Sequence, residues 1–215
     1  MKKYLSIITN FGCHYKCPYC IVKTNGIDVP ETTIKSLDSL MDRVNEIGAN
    51  IISVSGGGDP LYNYNEHKDY YEKLFKICKE NNLPLEMHTS YIESDFPYDQ
   101  CIRIVYHLNS IKDLSTLGKQ GRAKIRIVYV VTKDFIEDII DDIYYRFLSN
   151  PYVHELSFRQ MVSNKYTTTH YCEDYLKAGH NLGCWHYIQQ NDYNTYFVEG
   201  NLYYKFSDIG LDKSK

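Results

Sequence analysis

Cys13-His14-Tyr15-Lys16-Cys17-Pro18-Tyr19-Cys20 follows closely on an apolar, strand-like run, Tyr4 to Thr9, near the start of a 215-residue chain. The C-x3-C-x2-C spacing on a loop lets three thiolates converge on one face of an iron-sulfur cluster. A four-iron cluster takes four thiolates, so a set of three leaves one iron open to a ligand the protein does not supply. The same cysteines also admit a plainer reading, as half of a zinc site completed by His14 or a distant cysteine. Structural zinc ligands usually come in two separated pairs, however, and this segment has a single run. A disulfide framework fits poorly, because seven cysteines is an odd number and a chain of this length buries a core without staples.

Outward from this loop the chain alternates short β-branched runs with helical periodicities. Ile34, Leu37, Leu40, Met41, Val44 and Ile47 recur at helical spacing and stop at Gly48. Asn50 to Ser55 is a second strand, followed by a helix burying Tyr71, Leu74, Phe75 and Cys78. Leu85 to Thr89, Ile102 to His107, Ile125 to Val131 and about Glu155 to Met161 are four more strands. The segment Tyr91 to Cys101 is at best a weak helix. The stripe Phe135, Ile136, Ile139, Ile140, Ile143, Tyr144 and Phe147 predicts the strongest one. Six strands separated by helices imply an α/β fold with a parallel sheet, either open and doubly wound or a partial barrel, and in both a ligand binds at the C-terminal strand ends. From Val162 the pattern changes to polar and irregular, then Tyr193 to Val198 pairs with Asn201 to Phe206 across Glu199-Gly200 as a hairpin. We therefore divide the chain into 1–161 and a C-terminal extension, 162–215, expected to pack on the first part as a cap, lid or dimer contact.

With 24 basic and 27 acidic residues the net charge is −3, which gives no basic field of the kind used for non-specific nucleic-acid binding. The apolar run after Lys2-Lys3 is broken by Ser6 and ends at Thr9-Asn10, too short for a signal peptide or a membrane span. The expectation is a soluble cytoplasmic protein whose thiols stay reduced. The 22 tyrosines look like compositional bias rather than function.

A second element, Ser55-Gly56-Gly57-Gly58-Asp59-Pro60, follows directly on the second strand. Glycines there serve a turn, or let the backbone approach a ligand closely, and Asp59 adds a carboxylate for a cation. Arg126 shares a face of the fifth strand with Val128 and Val130, and a cation facing an apolar interior needs a partner. Arg159 stands near the end of the sixth strand. Cys78 lies on an apolar helix stripe and Cys101 lacks metal-like neighbours. Cys172, His180, Cys184 and His186 cluster in the tail at a spacing that matches no recognised metal pattern.

The cysteine run resembles the cluster loop of the radical S-adenosylmethionine (radical SAM) superfamily, in which the residue before the last cysteine is typically aromatic, as Tyr19 is. Gly57-Gly58-Asp59-Pro60 is similar to the family's Gly-Gly-Glu-Pro motif, with Asp in place of Glu. The resemblance, nearest to the molybdopterin-precursor-synthase-like subgroup and without a clear auxiliary-cluster domain, implies a partial (β/α)6 barrel open at one side. It implies a [4Fe-4S] cluster on Cys13, Cys17 and Cys20, SAM on the open iron, and Gly57, Gly58 and Asp59 around the SAM amino group. Thr89 and Ser90 stand where the family often has Thr-Asn. His107 and Asn109 stand near a ribose-facing stretch, with His in place of the family's Ser, and Arg126 is placed to meet the SAM carboxylate.

By the same resemblance the chain is an enzyme, an oxidoreductase or transferase. It would cleave SAM reductively to a 5'-deoxyadenosyl radical that takes hydrogen from a small-molecule, nucleotide or peptide substrate. The electron would come from a donor such as flavodoxin or ferredoxin. Two other readings stay open: a glycyl-radical-enzyme activase acting on a protein partner, and a non-catalytic iron-sulfur or zinc module.

Overall fold

The computed structural model describes residues 2–189 and 194–211. β1 (Tyr4–Thr9), β2 (Ile51–Gly56), β3 (Leu85–Thr89), β4 (Arg103–Leu108), β5 (Lys124–Val131) and β6 (Glu155–Gln160) lie side by side in chain order, each parallel to the last. The helices between them are α1 (Ile21–Asn25) and α2 (Leu40–Ile47) before β2, α3 (Lys68–Glu80) before β3, and α4 (Glu137–Ser149) before β6. The connections into β4 and β5 use only 3₁₀ turns, Tyr98–Gln100 and Ile111–Thr116. Tyr91 to Cys101 thus carries less helix than a regular βα unit, in line with its weak periodicity.

Alternation along the strands sorts the side chains between two faces. Leu5, Ile7, Ile52, Val54, Leu85, Met87, Ile104, Tyr106, Ile127 and Phe158 form one core with Leu40 and Val44 of α2, Tyr71 and Leu74 of α3, and Ile140 and Ile143 of α4. Each fully buried Leu or Phe here contributes roughly 1.5–3 kcal/mol. The stripe beginning at Ile34 splits into a 3₁₀ turn, Ile34–Ser39, and then α2. Thr33 accepts from Ser36 N–H at the start of that turn. Gly48, at φ 64°, ends α2 in the left-handed conformation.

The opposite face is polar. Tyr4 on β1, Glu86 on β3, Arg103 on β4, Arg126 on β5 and Glu155 on β6 form one ion-pair network near the N-terminal strand ends. In a flat sheet β1 and β4 would stand about 14 Å apart, at ~4.8 Å per strand. The Arg103 Nη2 to Tyr4 hydroxyl bond of 3.3 Å crosses that span, as it would where the sheet curls with this face inward. The sheet stays open, as a partial barrel does.

The extension supplies strands to both edges. α5 (Glu173–Asn181) leads into β7 (His186–Ile188), parallel to β6, while β8 (Thr195–Val198) pairs parallel with β1 and β9 (Asn201–Tyr203) antiparallel with β8. Among the described residues one nine-stranded sheet results, in the order β7-β6-β5-β4-β3-β2-β1-β8-β9. The expected hairpin is present across Glu199 (φ 44°) and Gly200 (φ 81°), the positive pair a tight two-residue turn demands; Tyr193 lies outside the described residues. Glu199 accepts from Thr33 N–H and hydroxyl at 2.9 and 2.7 Å, which ties the hairpin to the turn before α2. Trp185 donates its indole N–H to the Leu176 carbonyl and meets Tyr144 and Phe158 edge-on, closing the other end of the core. Among the described residues no helix is long and apolar enough to cross a membrane.

Candidate active site at the C-terminal strand ends

The cysteine loop leaves β1 under tight backbone control. Asn10 donates its side-chain N–H to Val29 O at 2.6 Å and its backbone N–H to Thr32 Oγ1 at 2.7 Å. Gly12 follows at φ 104°, a conformation closed to L side chains, with the Tyr62 ring 2.7 Å from where a Cβ would sit. Cys13, Cys17 and Cys20 come next, all free thiols. Cys20 donates its N–H to Cys17 O at 3.1 Å and heads α1. Tyr15 reaches across to donate its hydroxyl to Ser90 O at 2.9 Å, beyond β3. The His14 ring stacks on Tyr91 at 4.2 Å and stands edge-on to Tyr62 at 4.8 Å. The motif thus forms a folded arch pinned at both flanks.

Burial pushes the Cys17 thiol up, and the neighbouring Cys13 and Cys20 push it further. A bound cation reverses that repulsion, because metal charge favours thiolates. Among the described residues no three Cys, His, Asp or Glu side chains gather about a single metal position. A cluster, in which each thiolate holds a different iron, asks instead for sulfurs spread around a larger body. Three free thiols on one loop are a donor set that fits such a cluster, with one iron left to another ligand.

The glycine loop lies directly against the arch. Gly57 donates its N–H to Thr9 O at 2.6 Å and Asp59 donates its N–H to Gly12 O at 2.8 Å. A Cβ on Gly58 would overlap the Gly12 carbonyl, and one on Gly57 would come within 2.7 Å of Val29. Only bare backbone lets the two loops meet. Asp59 is 4% exposed, and its carboxylate accepts from Leu61 N–H (2.9 Å), Thr89 hydroxyl (2.7 Å) and Ser90 N–H (2.7 Å). It clamps the glycine loop to the end of β3, with its oxygens engaged by the chain itself. Thr89, 2% exposed, is held in the same clamp.

The other expected residues divide into two groups. Asn109, one residue past β4, reaches the arch: Cys17 Sγ–H donates to its Oδ1 at 3.5 Å, and the Tyr19 hydroxyl donates to the same oxygen. Burial raises the Tyr19 hydroxyl pKa, and Cys17 adds to it, so this phenol stays protonated. His107 lies deeper on the inner face, its Nε2 3.4 Å from His88 Nδ1. Burial and the Arg159 charge push His107 down to about 3, and burial with His107 beside it holds His88 well below its ordinary range. Both imidazoles are therefore neutral near pH 7. Arg126 sits farther down, at the third residue of β5, ion-paired with Glu155. Burial raises the Glu155 carboxyl, but Arg126 and Arg103 outweigh it and hold the group below its usual range. The partner that the sequence demanded for Arg126 is thus an internal carboxylate.

Beside the arch, a cavity of about 520 Å³ opens at the ends of β4 to β6, with Cys17, Tyr19, Asn109, Val130, Met161 and Tyr171 in its wall. Among the described residues no tail cysteine or histidine belongs to a group of three that could hold a metal ion. Cys172 donates to Phe135 O at 3.2 Å, His180 Nδ1 lies 3.2 Å from Trp185 O, and the His180 and His186 rings are 6.4 Å apart. Sequence reasoning passed over Gly12, whose position directly before the first cysteine was its one local signal. It also passed over Tyr15, and over Glu86, His88 and Glu155, whose polarity in apolar strands marks an inner face.

A model of the family described as the Radical SAM superfamily matches residues 7–126, more than half of the chain. No curated protein matches it in sequence. Two solved structures of SuiB from Streptococcus suis are similar to it. The one bound to precursor peptide SuiA has a TM-score of 0.66 at 14% identity, covering 100% of this chain and 62% of SuiB. The one bound to S-adenosylmethionine has a TM-score of 0.67 at 14% identity, covering 100% and 60%. The chain thus spans about three-fifths of SuiB, and the likeness is one of fold.

Proposed function

The chain belongs to the radical SAM superfamily, and from that premise we propose that it is a radical SAM enzyme whose Cys13, Cys17 and Cys20 hold a [4Fe-4S] cluster with one iron left to SAM. When bound, such a cluster would supply the electron for reductive cleavage of SAM ahead of hydrogen abstraction. One observation carries this reading. An arch of three free thiols is locked through Gly12 onto a side-chain-free glycine loop, at adjoining strand ends where parallel sheets bind ligands. The Gly57 and Gly58 carbonyls and the Ser90 hydroxyl would meet the SAM amino acid moiety, the N–H groups of these residues being engaged by Thr9 and Asp59. Asp59 and Thr89 support them from behind rather than touching the ligand.

We assign a peptide as the substrate, presenting one side chain at the barrel mouth. The inner face below the rim is filled by Glu86, Arg103, Arg126 and Glu155, with His88 and His107 above them. The remaining cavity of about 520 Å³ lies in the range of ~300–1,000 Å³ that takes one drug-sized ligand, so SAM leaves little room for a second free molecule. A side chain inserted from outside needs only the remaining space, and the structurally similar SuiB binds a precursor peptide. A flavodoxin- or ferredoxin-type donor would supply the electron in a reducing, cytoplasmic setting.

The test is anaerobic reconstitution of the full chain followed by dithionite and SAM. About four irons per chain and release of 5'-deoxyadenosine are expected, with both abolished or sharply reduced in Cys17→Ala. A Cys17→Ala variant that still cleaved SAM would overturn the reading. An oxygen-sensitive backbone radical raised on a protein partner would move the assignment to a glycyl-radical activase.

A further inference from the structure

We propose that Asn109 is a positioning residue that sets the reduction potential of the cluster, by donating a hydrogen bond to the Cys17 sulfur while Tyr19 holds its carboxamide in place. The inference rests on the cluster reading above and adds a role that the cysteine motif does not contain. Asn109 belongs to the end of β4, three strands away from β1, which carries the arch, yet its side chain meets both Cys17 Sγ (3.5 Å) and the Tyr19 hydroxyl. Cys13 differs, since its sulfur accepts from the backbone N–H of Tyr15 within the same loop, at 3.4 Å.

A sulfur that holds iron carries no hydrogen and can only accept. The Asn109 carboxamide answers that by turning over, which exchanges its oxygen for an NH₂ group at the same position without moving the backbone. One N–H then points at Cys17 Sγ and the other at the Tyr19 oxygen, which can accept as well as donate. The contact with the Tyr19 hydroxyl holds the carboxamide at that position against the arch. Hydrogen bonds to ligand sulfurs draw electron density from the cluster and favour its reduced form. Asn109 therefore raises the potential of a cluster that must stay reducible by a cellular donor.

The experiment is a potentiometric titration of the reconstituted, SAM-free cluster, followed by electron paramagnetic resonance, in the wild type, Asn109→Ala, Asn109→Asp and Tyr19→Phe. Asn109→Asp keeps the shape but offers an acceptor and a negative charge, so it is expected to give the largest negative shift in midpoint. Asn109→Ala should give a smaller shift and Tyr19→Phe the smallest, all in the same direction. Iron content in Asn109→Asp should stay within about a fifth of wild type. If the SAM-free potential is unchanged in Asn109→Asp and Tyr19→Phe while SAM affinity falls, Asn109 is a ligand contact and the inference is wrong. If the wild type itself assembles no four-iron cluster, the functional reading fails and this inference with it.

Discussion

Gly12→Ala tests whether the fit between the two loops is what shapes the site. Two separate penalties act at this residue. At φ 104° the backbone lies outside even the left-handed helical region, a conformation that costs a non-glycine residue about 1–3 kcal/mol. The new Cβ would stand 2.7 and 2.8 Å from Tyr62 Cε1 and Cδ1, whereas carbon atoms rest at about 3.5–4.0 Å, so the ring must retreat by roughly 1 Å. Overpacking of that kind costs about 1–3 kcal/mol, toward the low end here because Tyr62 is only half-buried. Together they come to about 2–5 kcal/mol, or a drop in Tm of roughly 5–15 °C for a chain of this size. Gly48→Ala is the control, since its φ of 64° is strained but nothing lies within 4 Å, and about 1–2 kcal/mol is expected. Adding Tyr62→Ala to Gly12→Ala removes the overlap but leaves the strain at φ. Thermal melts of the metal-free chain are read beside iron content after reconstitution. Gly12→Ala should lose at least half its iron and Gly48→Ala none. A Gly12→Ala protein that melts no lower than Gly48→Ala and loads iron fully would refute the argument.

Two further outcomes follow from groups near the site. Asp59→Asn places an NH₂ opposite either the Ser90 N–H or the Leu61 N–H and Thr89 hydroxyl, losing at least one charge-assisted hydrogen bond at about 1.5–3 kcal/mol. The metal-free protein should therefore unfold at lower denaturant concentration; an unchanged midpoint would mean that the carboxylate serves only a ligand. His88 and His107 have folded pKa values below their unfolded ones, so the unfolded chain binds protons that the folded chain does not. Their contribution is complete above about pH 6.5 and is lost as pH falls toward the folded values, about 3 for His107. Each imidazole adds a slope of up to about 1.4 kcal/mol per pH unit in that window. Urea midpoints at pH 7.5 and 5.0 should thus differ less in His107→Asn than in the wild type, and equal differences would show that His107 is not held neutral.

The sequence by itself determined the succession of strands along the chain, the place of the cysteine loop after the first and the glycine loop after the second, and the hairpin across Glu199-Gly200. These are local matters, since alternation, thiol spacing and the positive φ of a two-residue turn are written in neighbouring residues. Even the need of Arg126 for a partner was legible, because an apolar strand cannot leave a cation alone. Which partner it takes was not. Glu155 is 29 residues away in sequence and becomes its neighbour only when β5 and β6 fall into register. Asp59 shows the same limit. Its position after three glycines marks a ligand carboxylate and an internal clamp equally, and the bonds it accepts from Thr89 and Ser90 exist only because the end of β3 folds in beside it. The tail was the least legible, because short edge strands such as β7 and β8 carry weak periodicity of their own and are made strands by the sheet edges they pair with. Long-range register and sheet curvature are properties of the folded whole, and they decided which polar groups satisfy one another.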